Sequence, residues 1–347
     1  PADYLRLQRE ISTLIRGMEE HTDQLVVSFI DPFKGKVSAQ ALIDEMTQFG
    51  LPPEYIIDDN KQALEQTVVF PWAMVNNANK SVRIPLLEKV LGDDEQKKII
   101  RSIAQLEFHF FDAIFKITQK KKPNLAVLTS HGTSEALKIS DFMRSLQPYY
   151  HLASFDLKAL ENDPEKTLEN LKRFNLLMIS NPTEAFSETE KYLLDQYLMQ
   201  GGKQWWAINS VAINRDSLFN SNGSALAVGR SLNMENIFFK YGFRLQKNLI
   251  KDIYCAPVVL ASGSQRKTQY LPYPWPYYPL AKPRQKKLFG NQAGNVFIPF
   301  PSSIDTIKNS LEKTVLIRSS DFSQSQKTPI TIAIKEASDK LNPDLFD

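Results

Sequence analysis

The stretch LLMISNPTEAFSETEKYLLDQYLMQGGKQWWAINS, residues 176–210, holds the signals that decide the fold. It starts with a short apolar run, typical of a strand buried on both faces, and the Asn-Pro pair at 181–182 ends that strand. A helix is predicted next, because Ser187 and Glu190 have the spacing of a capping box. In such a box each side chain accepts a hydrogen bond from the other residue's backbone N–H.

The helix after this box is predicted to be amphipathic and to lead into a second strand. Its apolar residues recur at spacings of three and four, which gives one apolar stripe made of Leu193, Leu194, Tyr197 and Leu198. Gly201-Gly202 is predicted to end the helix, because glycine readily adopts the left-handed conformation. Trp205 to Ile208 is predicted to be a second buried strand, with one tryptophan ring on each face. Together they predict a β-α-β unit with parallel strands and a right-handed crossover.

Strands and helices alternate over the whole region from residue 125 to residue 209. The predicted strands are 125–129, 151–155, 176–180 and 204–209, and the predicted helices between them are 134–146, 164–173 and 188–200. Such alternation is typical of a doubly wound sheet with helices on both faces. The fold class predicted for residues 123–347 is therefore a doubly wound, mostly parallel, Rossmann/flavodoxin-like α/β domain.

The remainder of that domain carries weaker signals. The predicted elements are a short helix at 233–241, an extended segment at 251–260, late strands at 314–318 and 330–334, and a tail at 336–347. The stretch YLPYPWPYYPLAKP, residues 270–283, is rich in proline and in aromatic residues. So many prolines exclude a regular helix, and so many aromatic rings disfavour disorder. We therefore expect an ordered, extended crossing that packs its aromatic rings.

Residues 1–122 are predicted to form a small, mixed-sheet α/β domain. Its predicted helices are 3–20, 39–49 with Ser38 as N-cap, and 93–118, the last being the connector to the following domain. Its predicted strands are 25–30 and an antiparallel hairpin formed by 67–75 and 82–87. The lysine-rich segment that follows the long helix is predicted to mark the domain boundary.

The composition is that of an ordinary globular protein. Of 347 residues 42% are hydrophobic and 23% charged, and the net charge of +3 comes from 42 basic and 39 acidic residues, which disfavours a dedicated nucleic-acid binder. Cys255 is the only cysteine, which excludes an intramolecular disulfide, and it is predicted to fill a core. No apolar run is long enough to span a bilayer. Because an initiating methionine and a signal peptide are missing, we expect an excised fragment.

The first candidate ligand site is the turn between residues 130 and 134. His131, Gly132, Thr133 and Ser134 lie between a predicted strand and a predicted helix, at the edge where doubly wound folds place their ligands. In a ligand site His131 would act as acid or base, and the turn would cradle an anion at the helix N-terminus. The alternative is a structural turn with Thr133 or Ser134 as N-cap. The residues by themselves favour the structural alternative.

The aromatic residues within 270–283 are a second candidate site, here for a protein or glycan partner. On a surface, the rings of Tyr273, Trp275, Tyr277 and Tyr278 would form a proline-stiffened docking site. The alternative places the same rings in a core or between domains. The residues favour the core.

Motifs for metal, nucleotide and covalent chemistry are missing from the sequence. The histidines have no partners at metal-ligand spacing, so no metal and no cofactor are predicted. The chain has no P-loop, no G-x-G-x-x-G and no G-x-S-x-G. Asp31 and Asp58-Asp59 are interpreted as turn residues. The basic clusters at 120–122 and 282–287 are interpreted as solvated linkers, with anionic lipid headgroups as the second interpretation.

Five motifs spread over nearly the whole chain carry a family resemblance. They are the opening PADYLRLQRE, VSFIDP at 27–32, NP-x-x-x-F-S-x-x-E at 181–190, LIKDIYCAPVVL at 249–260 and SSIDTIK at 302–308. In this order they resemble the GldG family, the auxiliary subunits of gliding-motility ABC transporters. Members of that family have a Gly-His-Gly-Glu-like sequence around the position of His131, where this chain has Ser130 first and Thr133-Ser134 before Glu135. The resemblance also implies that residues 123–347 are similar to the amidotransferase-like module of intraflagellar transport proteins.

The resemblance implies a function that the residues alone do not. We expect a non-catalytic, extracytoplasmic accessory subunit of an ABC transporter linked to gliding motility and protein secretion, which acts through protein contacts. Its implied partners are the permease and ATPase subunits, without nucleic acid and with homo-oligomerisation left open. The implied location is the periplasmic face of the inner membrane, with membrane anchors outside this chain.

Two alternatives to this function stay open at the level of the sequence. One is a glycan or small-ligand receptor that uses the cleft near His131. The other is a degenerate hydrolase, which requires a nucleophile within hydrogen-bond reach of a histidine.

Overall fold

The computed structural model describes residues 2–34, 38–58, 65–90, 92–160, 163–219, 223–262, 268–284 and 294–338. The chain divides into two compact units, Pro1–Lys121 and Lys122–Asp347. Asp59, residues 285–287 of the second basic cluster and the predicted tail beyond residue 338 lie outside the described residues. None of the described helices combines the length and the apolar character needed to cross a membrane.

The described residues of the first unit form three helices and two antiparallel strand pairs. The helices are α1 (Ala2–Glu19), α2 (Ala39–Gln48) and α3 (Glu95–Thr118), and the strands are β1 (Glu54–Asp58), β2 (Glu65–Val69), β3 (Trp72–Asn77) and β4 (Lys80–Pro85). All three predicted helices are confirmed, and the Ser38 side chain caps α2 as expected. The predicted hairpin is confirmed as β3 and β4. The strand predicted at 67–75 is divided at Phe70-Pro71, because proline has no N–H for the ladder.

The strand predicted at residues 25–30 is wrong. These residues run as irregular chain, and Val26, Phe29 and Ile30 are largely exposed. An extended apolar segment becomes a strand only where its backbone N–H and C=O groups form hydrogen bonds with a neighbouring strand. No described strand pairs with residues 25–30. Asp31 does act as a turn residue, since its side chain accepts a hydrogen bond from the Phe33 N–H at 3.0 Å.

The core of the first unit lies between α1, α3 and the β3–β4 hairpin. The buried side chains in this core come from all three elements and include Leu7, Ile11, Ile15, Ile84, Ile99, Leu106 and Phe110. On another side of α3, the rings of Phe108, Phe111 and Phe115 are 61%, 54% and 53% exposed. These three rings, spaced three and four residues apart, are called the α3 aromatic stripe below.

A parallel four-stranded sheet in the order β6-β5-β7-β8 opens the second unit. Its strands are β5 (Asn124–Leu128), β6 (His151–Phe155), β7 (Leu176–Ser180) and β8 (Lys203–Ala207), which alternate with the helices α4 (Ala136–Leu146), α5 (Pro164–Leu171) and α6 (Glu188–Met199). The alternation predicted over 125–209 is therefore confirmed, as is the capping box of Ser187 and Glu190. The core of this region covers one face of the sheet with α5 and α6.

Both glycines of the predicted helix stop have a structural reason. Gly201 has φ of +93°, the left-handed conformation expected after a helix. A Cβ on Gly202 would overlap the ring of Tyr197, which is 1% exposed and donates from its hydroxyl to the Phe174 carbonyl. Gly201 thus allows the left-handed backbone conformation, and Gly202 leaves space for the buried ring of Tyr197.

The last strand of the β-α-β unit lies at the edge of the sheet and is not buried as predicted. Trp206 points into the core, where its ring centroid is 5.6 Å from that of Phe186. Trp205 points to the other face and is 40% exposed. Its ring centroid lies 5.2 Å from that of Phe142 on α4. An edge strand has only one strand neighbour, and here Trp206 is half-buried while Trp205 is exposed, so the prediction of a buried ring on each face is wrong for Trp205.

All strand pairs among the described residues after 207 are antiparallel, so the prediction of a mostly parallel domain over 123–347 is wrong for this part. The helices here are α7 (Arg215–Phe219) and α8 (Glu235–Lys240). The strands are β9 (Val211–Ile213), β10 (Ser224–Gly229), β11 (Phe243–Leu245), β12 (Asn248–Asp252), β13 (Cys255–Ser262), β14 (Gln269–Pro283), β15 (Val296–Phe297), β16 (Ile304–Thr306), β17 (Ile317–Arg318), β18 (Ser323–Lys327) and β19 (Ile330–Ala333). They pair as β9-β10-β19, β11-β16, β12-β18 and β13-β14-β15, with β17 on β14. Apart from the extended segments at 251–260 and 270–283, the sequence predicts only β17 and β19 among these strands, and it predicts neither partners nor direction.

The proline-rich stretch forms β14, which confirms the ordered, extended crossing. Pro272, Pro274 and Pro276 are spaced by two residues, so all three missing N–H groups fall on the same edge of the strand. The intervening residues keep their N–H groups for the other edge, and β14 pairs with β13 from Cys255 to Ser262. The part of β14 with regularly spaced prolines therefore pairs with β13 alone among the described strands, whereas residues 280–283 pair with β15 and β17.

Candidate functional site

His131 lies in the turn that follows β5, at the carboxyl edge of the parallel sheet, as the sequence predicts. Both His131 and Gly132 have positive φ, +62° and +58°, and a positive φ is uncommon for a residue with a side chain. The His131 carbonyl oxygen accepts hydrogen bonds from the N–H groups of Thr183 at 2.8 Å and Glu184 at 3.1 Å. The turn after β5 is thus tied to the turn after β7.

The imidazole of His131 is enclosed by three side chains and is 1% exposed. Its ring stacks on Phe186, with centroids 4.1 Å apart and planes 9° from parallel. Nδ1 lies 3.0 Å from Ser130 Oγ, and Nε2 lies 3.0 Å from Glu190 Oε1. The second contact is close enough for an ion pair, but its angle is not that of an aligned hydrogen bond.

Glu190 connects this histidine to the capping box of α6. Its Oε2 accepts the Ser187 N–H at 2.7 Å, while Oε1 faces His131, and the residue is 2% exposed. The sequence predicts only the capping role of Glu190. No spacing signal joins residues 131 and 190, because their contact arises from the adjacency of β5 and β7 in the sheet.

The neighbours of His131 close the turn against the end of β7. Thr133 Oγ1 donates to the Leu128 carbonyl at 2.8 Å. The Ser134 N–H donates to the Ser180 carbonyl at 2.8 Å. The N-cap of α4 is Glu135, without a capping side-chain bond, so the prediction of Thr133 or Ser134 as N-cap is wrong. Their side chains bind within the turn before the helix begins.

Replacing Gly132 by alanine is expected to destabilise this turn. An alanine there would keep a left-handed φ, which costs about 1–2 kcal/mol, and its Cβ would overlap Thr183 Oγ1. Gly201→Ala is the matched control, since Gly201 also has positive φ but no atom within 4 Å of the added Cβ. In urea denaturation we expect Gly132→Ala to lose more unfolding free energy than the control. Equal losses would contradict the close contact, and Gly132→Ala/Thr183→Ala should recover part of the difference.

The pKa of Glu190 is held below its ordinary value of 4.5. Burial raises this pKa, but the hydrogen bonds from the backbone and side chain of Ser187 and the contact with His131 lower it by more. Because the folded-state pKa is depressed, the stabilisation is present above the unfolded pKa and is lost as pH falls through the folded one. The free energy of unfolding is therefore expected to fall more steeply in the native chain than in Glu190→Gln as the pH drops below the ordinary glutamate value of 4.5. If the curves of unfolding free energy against pH ran parallel in the two proteins, the depressed pKa of Glu190 would be contradicted.

Further contacts fill the crevice at the carboxyl edge with the chain's own atoms. Arg230 Nη1 lies 3.3 Å from both Asn181 Oδ1 and the Pro182 carbonyl oxygen. Lys158 forms an ion pair with Glu184 across the same edge. The position at which doubly wound sheets commonly bind ligands is therefore occupied by the segment 181–190.

The Ser130–His131–Glu190 arrangement has the order of polar groups found in hydrolase triads. Such a triad works when the serine oxygen and a substrate carbonyl meet beside the histidine. Here Ser130 Oγ accepts the Leu157 N–H at 3.2 Å, and the histidine ring lies under Phe186. The arrangement is suited to holding the turn after β5 against α6.

The second predicted site lies mostly in a core. Trp275, Tyr277 and Tyr278 are 0%, 1% and 8% exposed, whereas Tyr273 is half-buried. The two buried tyrosines pack against Phe300. The core alternative describes these rings, and the structure does not present them as a docking surface. Cys255 is half-buried at the start of β13, and burial raises the pKa of its thiol.

No group of three or more His, Cys, Asp or Glu side chains that could bind a metal ion occurs among the described residues.

The comparisons with known proteins bear mainly on the second unit. Residues 122–346 match the model of the family ABC_transp_aux, described as "ABC-type uncharacterized transport system". A solved structure, "mmIFT52 N-terminal domain", aligns with 14% identity and a TM-score of 0.38 over 60% of this chain and 77% of its own. No curated protein matches. Since the matched region spans more than half of the 347 residues, the chain belongs to this family of auxiliary components of ABC-type transport systems.

Proposed function

We propose that this chain is a non-catalytic, periplasmic accessory subunit of an ABC transporter in the gliding-motility and protein-secretion group, and that it acts through protein contacts with the permease and ATPase subunits. The family match supports the transport role. The resemblance of five motifs to the GldG family supports the narrower assignment. Membrane attachment through segments outside residues 1–347 belongs to the same proposal.

The observation that carries the non-catalytic part is the filled carboxyl edge of the parallel sheet. His131 is 1% exposed and contacts Glu190, Phe186 and Ser130. A side chain that exchanges protons with a substrate must reach it, whereas this one reaches only the chain's own atoms. The site is therefore proposed to have a structural role.

The α3 aromatic stripe supports a role in protein contacts. Three exposed phenylalanine rings on one helix side form an apolar surface of the kind that marks interaction sites. Large rings at such sites contribute much of the binding energy in protein complexes. We propose the stripe as the surface that contacts the permease.

Affinity purification of the tagged full-length protein from native membranes tests the proposal. The native chain is expected to retain the permease and the ATPase, and Phe108→Ser/Phe111→Ser is expected to lose most of both. Phe29→Ser is the matched control, because Phe29 is also exposed, at 69%, but lies outside the stripe. Failure of the native chain to retain either subunit would refute the accessory role. Equal loss in the control would refute the assignment of the stripe.

The contact of Ser130 with His131 favours a second candidate function, a degenerate hydrolase. Under the first proposal, the purified chain turns over no activated ester above the buffer rate. Turnover that disappears in Ser130→Ala and persists in Ser145→Ala, a serine on α4, would establish the second function and overturn the first. The receptor alternative near His131 stays a prediction, and a thermal-shift screen with glycans and nucleotides tests it.

A further inference from the structure

A cavity next to α8 carries several basic side chains on a largely apolar lining. Its outer part, of about 700 Å³, lies between α8 and residues 244–247 and is bordered by Lys240, Arg244 and Lys247. A smaller part of about 40 Å³ continues inward past Arg244 and Lys247 to Ser210 and Arg230. We call the two parts together the basic cleft.

The cations of the basic cleft outnumber its carboxylates. Glu235 is held by Lys247 at 3.2 Å and by the Ser231 hydroxyl at 2.8 Å. Asp305, the cross-strand neighbour of Arg244, accepts a hydrogen bond from the Gln246 side chain. Within the described part of the chain, Arg230, Lys240 and Arg244 have no carboxylate at ion-pair distance. Four lining cations, one lining carboxylate and the neighbouring Asp305 together leave an excess of two positive charges.

Two of these cations have contacts that restrict their positions. The guanidinium carbon of Arg244 lies 5.8 Å from the ring centroid of Phe239, which is 50% exposed. Arg230 is half-buried, and its Nη1 contacts only neutral oxygens, those of Asn181, Pro182 and Asn209. A guanidinium positioned in this way is suited to bidentate hydrogen bonds with an oxyanion, at little further entropic cost.

We propose that the basic cleft binds a phosphate group. A phosphate monoester carries about −1.5 to −2 charges at neutral pH, which matches the excess of two, whereas a single carboxylate would leave one cation unpaired. The cations come from three separate segments of the chain, and Arg244 and Lys247 line both parts of the cleft. The phosphate comes from a soluble phosphomonoester or from a lipid headgroup, and the chemistry of the cleft is the same for both. This proposal does not depend on the accessory role of the chain.

Titration calorimetry with inorganic phosphate and glycerol phosphate tests this proposal on the whole chain. Arg244→Gln/Lys247→Gln is expected to raise the dissociation constant by about tenfold or more, since it removes two charge-assisted hydrogen bonds. The matched control is Lys138→Gln/Arg144→Gln, which removes the same charge from exposed positions on α4 and should leave the constant unchanged. Circular dichroism confirms that both variants fold.

Vesicles distinguish the two sources of phosphate. Binding to phosphatidylglycerol vesicles but not to phosphatidylcholine vesicles, with loss in Arg244→Gln/Lys247→Gln, assigns the lipid headgroup. Binding of glycerol phosphate without vesicle binding assigns a soluble ligand. The proposal would be overturned if the heat of binding measured with phosphate were no larger than that with chloride at equal ionic strength. An equal loss of phosphate affinity in the control variant would also overturn it.

Discussion

Replacement of Glu190 by alanine is expected to lower the free energy of unfolding by about 2–5 kcal/mol, because it removes a helix cap and leaves a buried polar side chain without its partner. The substitution leaves His131, which is 1% exposed, facing an empty space, and it also removes the acceptor of the Ser187 N–H. Loss of a cap alone costs about 0.5–2 kcal/mol. Denaturant unfolding followed by tryptophan fluorescence measures the change, because Trp206 packs on Phe186 beside this site.

Two variants distinguish the buried contact from the cap. Glu190→Gln keeps an oxygen for the Ser187 N–H, so we expect a smaller loss than for alanine. Glu165→Ala is the control, because Glu165 is also in the first turn of a helix but is exposed, and such changes stay within about 0.5 kcal/mol. A loss in Glu190→Ala no larger than that of Glu165→Ala would show that the His131 contact contributes nothing.

The second large effect is expected at Trp275, in the core formed by β14. Trp275 is 0% exposed and packs against Tyr277 and Tyr278, with ring centroids 5.9 and 6.1 Å away. Replacing a buried tryptophan by alanine costs about 3–5 kcal/mol, because apolar contacts are lost and a cavity remains. Denaturation monitored by far-ultraviolet circular dichroism, which does not depend on the removed fluorophore, measures the loss.

The same strand supplies the control for this prediction. Tyr270 is 73% exposed, so Tyr270→Ala should change the unfolding free energy by about 0.5 kcal/mol or less. The contrast also tests the aromatic stretch as a docking site. If Trp275→Ala were as mild as Tyr270→Ala, the ring would not be a core residue and the surface interpretation would regain support.

The elements of the parallel sheet could be predicted because their signals are local. Ser187 and Glu190 are three residues apart, and the apolar stripe of α6 repeats within two turns, so the helix is specified by neighbours in sequence. The segment 25–30 failed for the opposite reason. Its apolar run satisfies the local pattern of a strand, but a strand also needs a partner, and partners lie far away in sequence.

The position of the candidate site could be predicted from the sequence, but the contacts that form it could not. The carboxyl end of β5 follows from the alternation of strands and helices, so His131 could be located. Its contacts with Glu190 and Phe186 could not, because they join residues more than fifty positions apart through the pairing of β5 with β7. The basic cleft was missed as well. Lys240, Arg244 and Lys247 lie close in sequence but match no recognised motif. Only the fold brings Arg230 to the same cleft.

The sequence by itself determined where most helices and the parallel strands begin and end, since caps, glycines, prolines and apolar spacing act within a few residues. It also determined the family resemblance. Only the tertiary structure decided that Trp275 and Tyr277 are core residues, that Glu190 faces a buried histidine, and that the strands after residue 207 pair antiparallel. Burial, ion pairing and strand partnership depend on which distant segments meet in space.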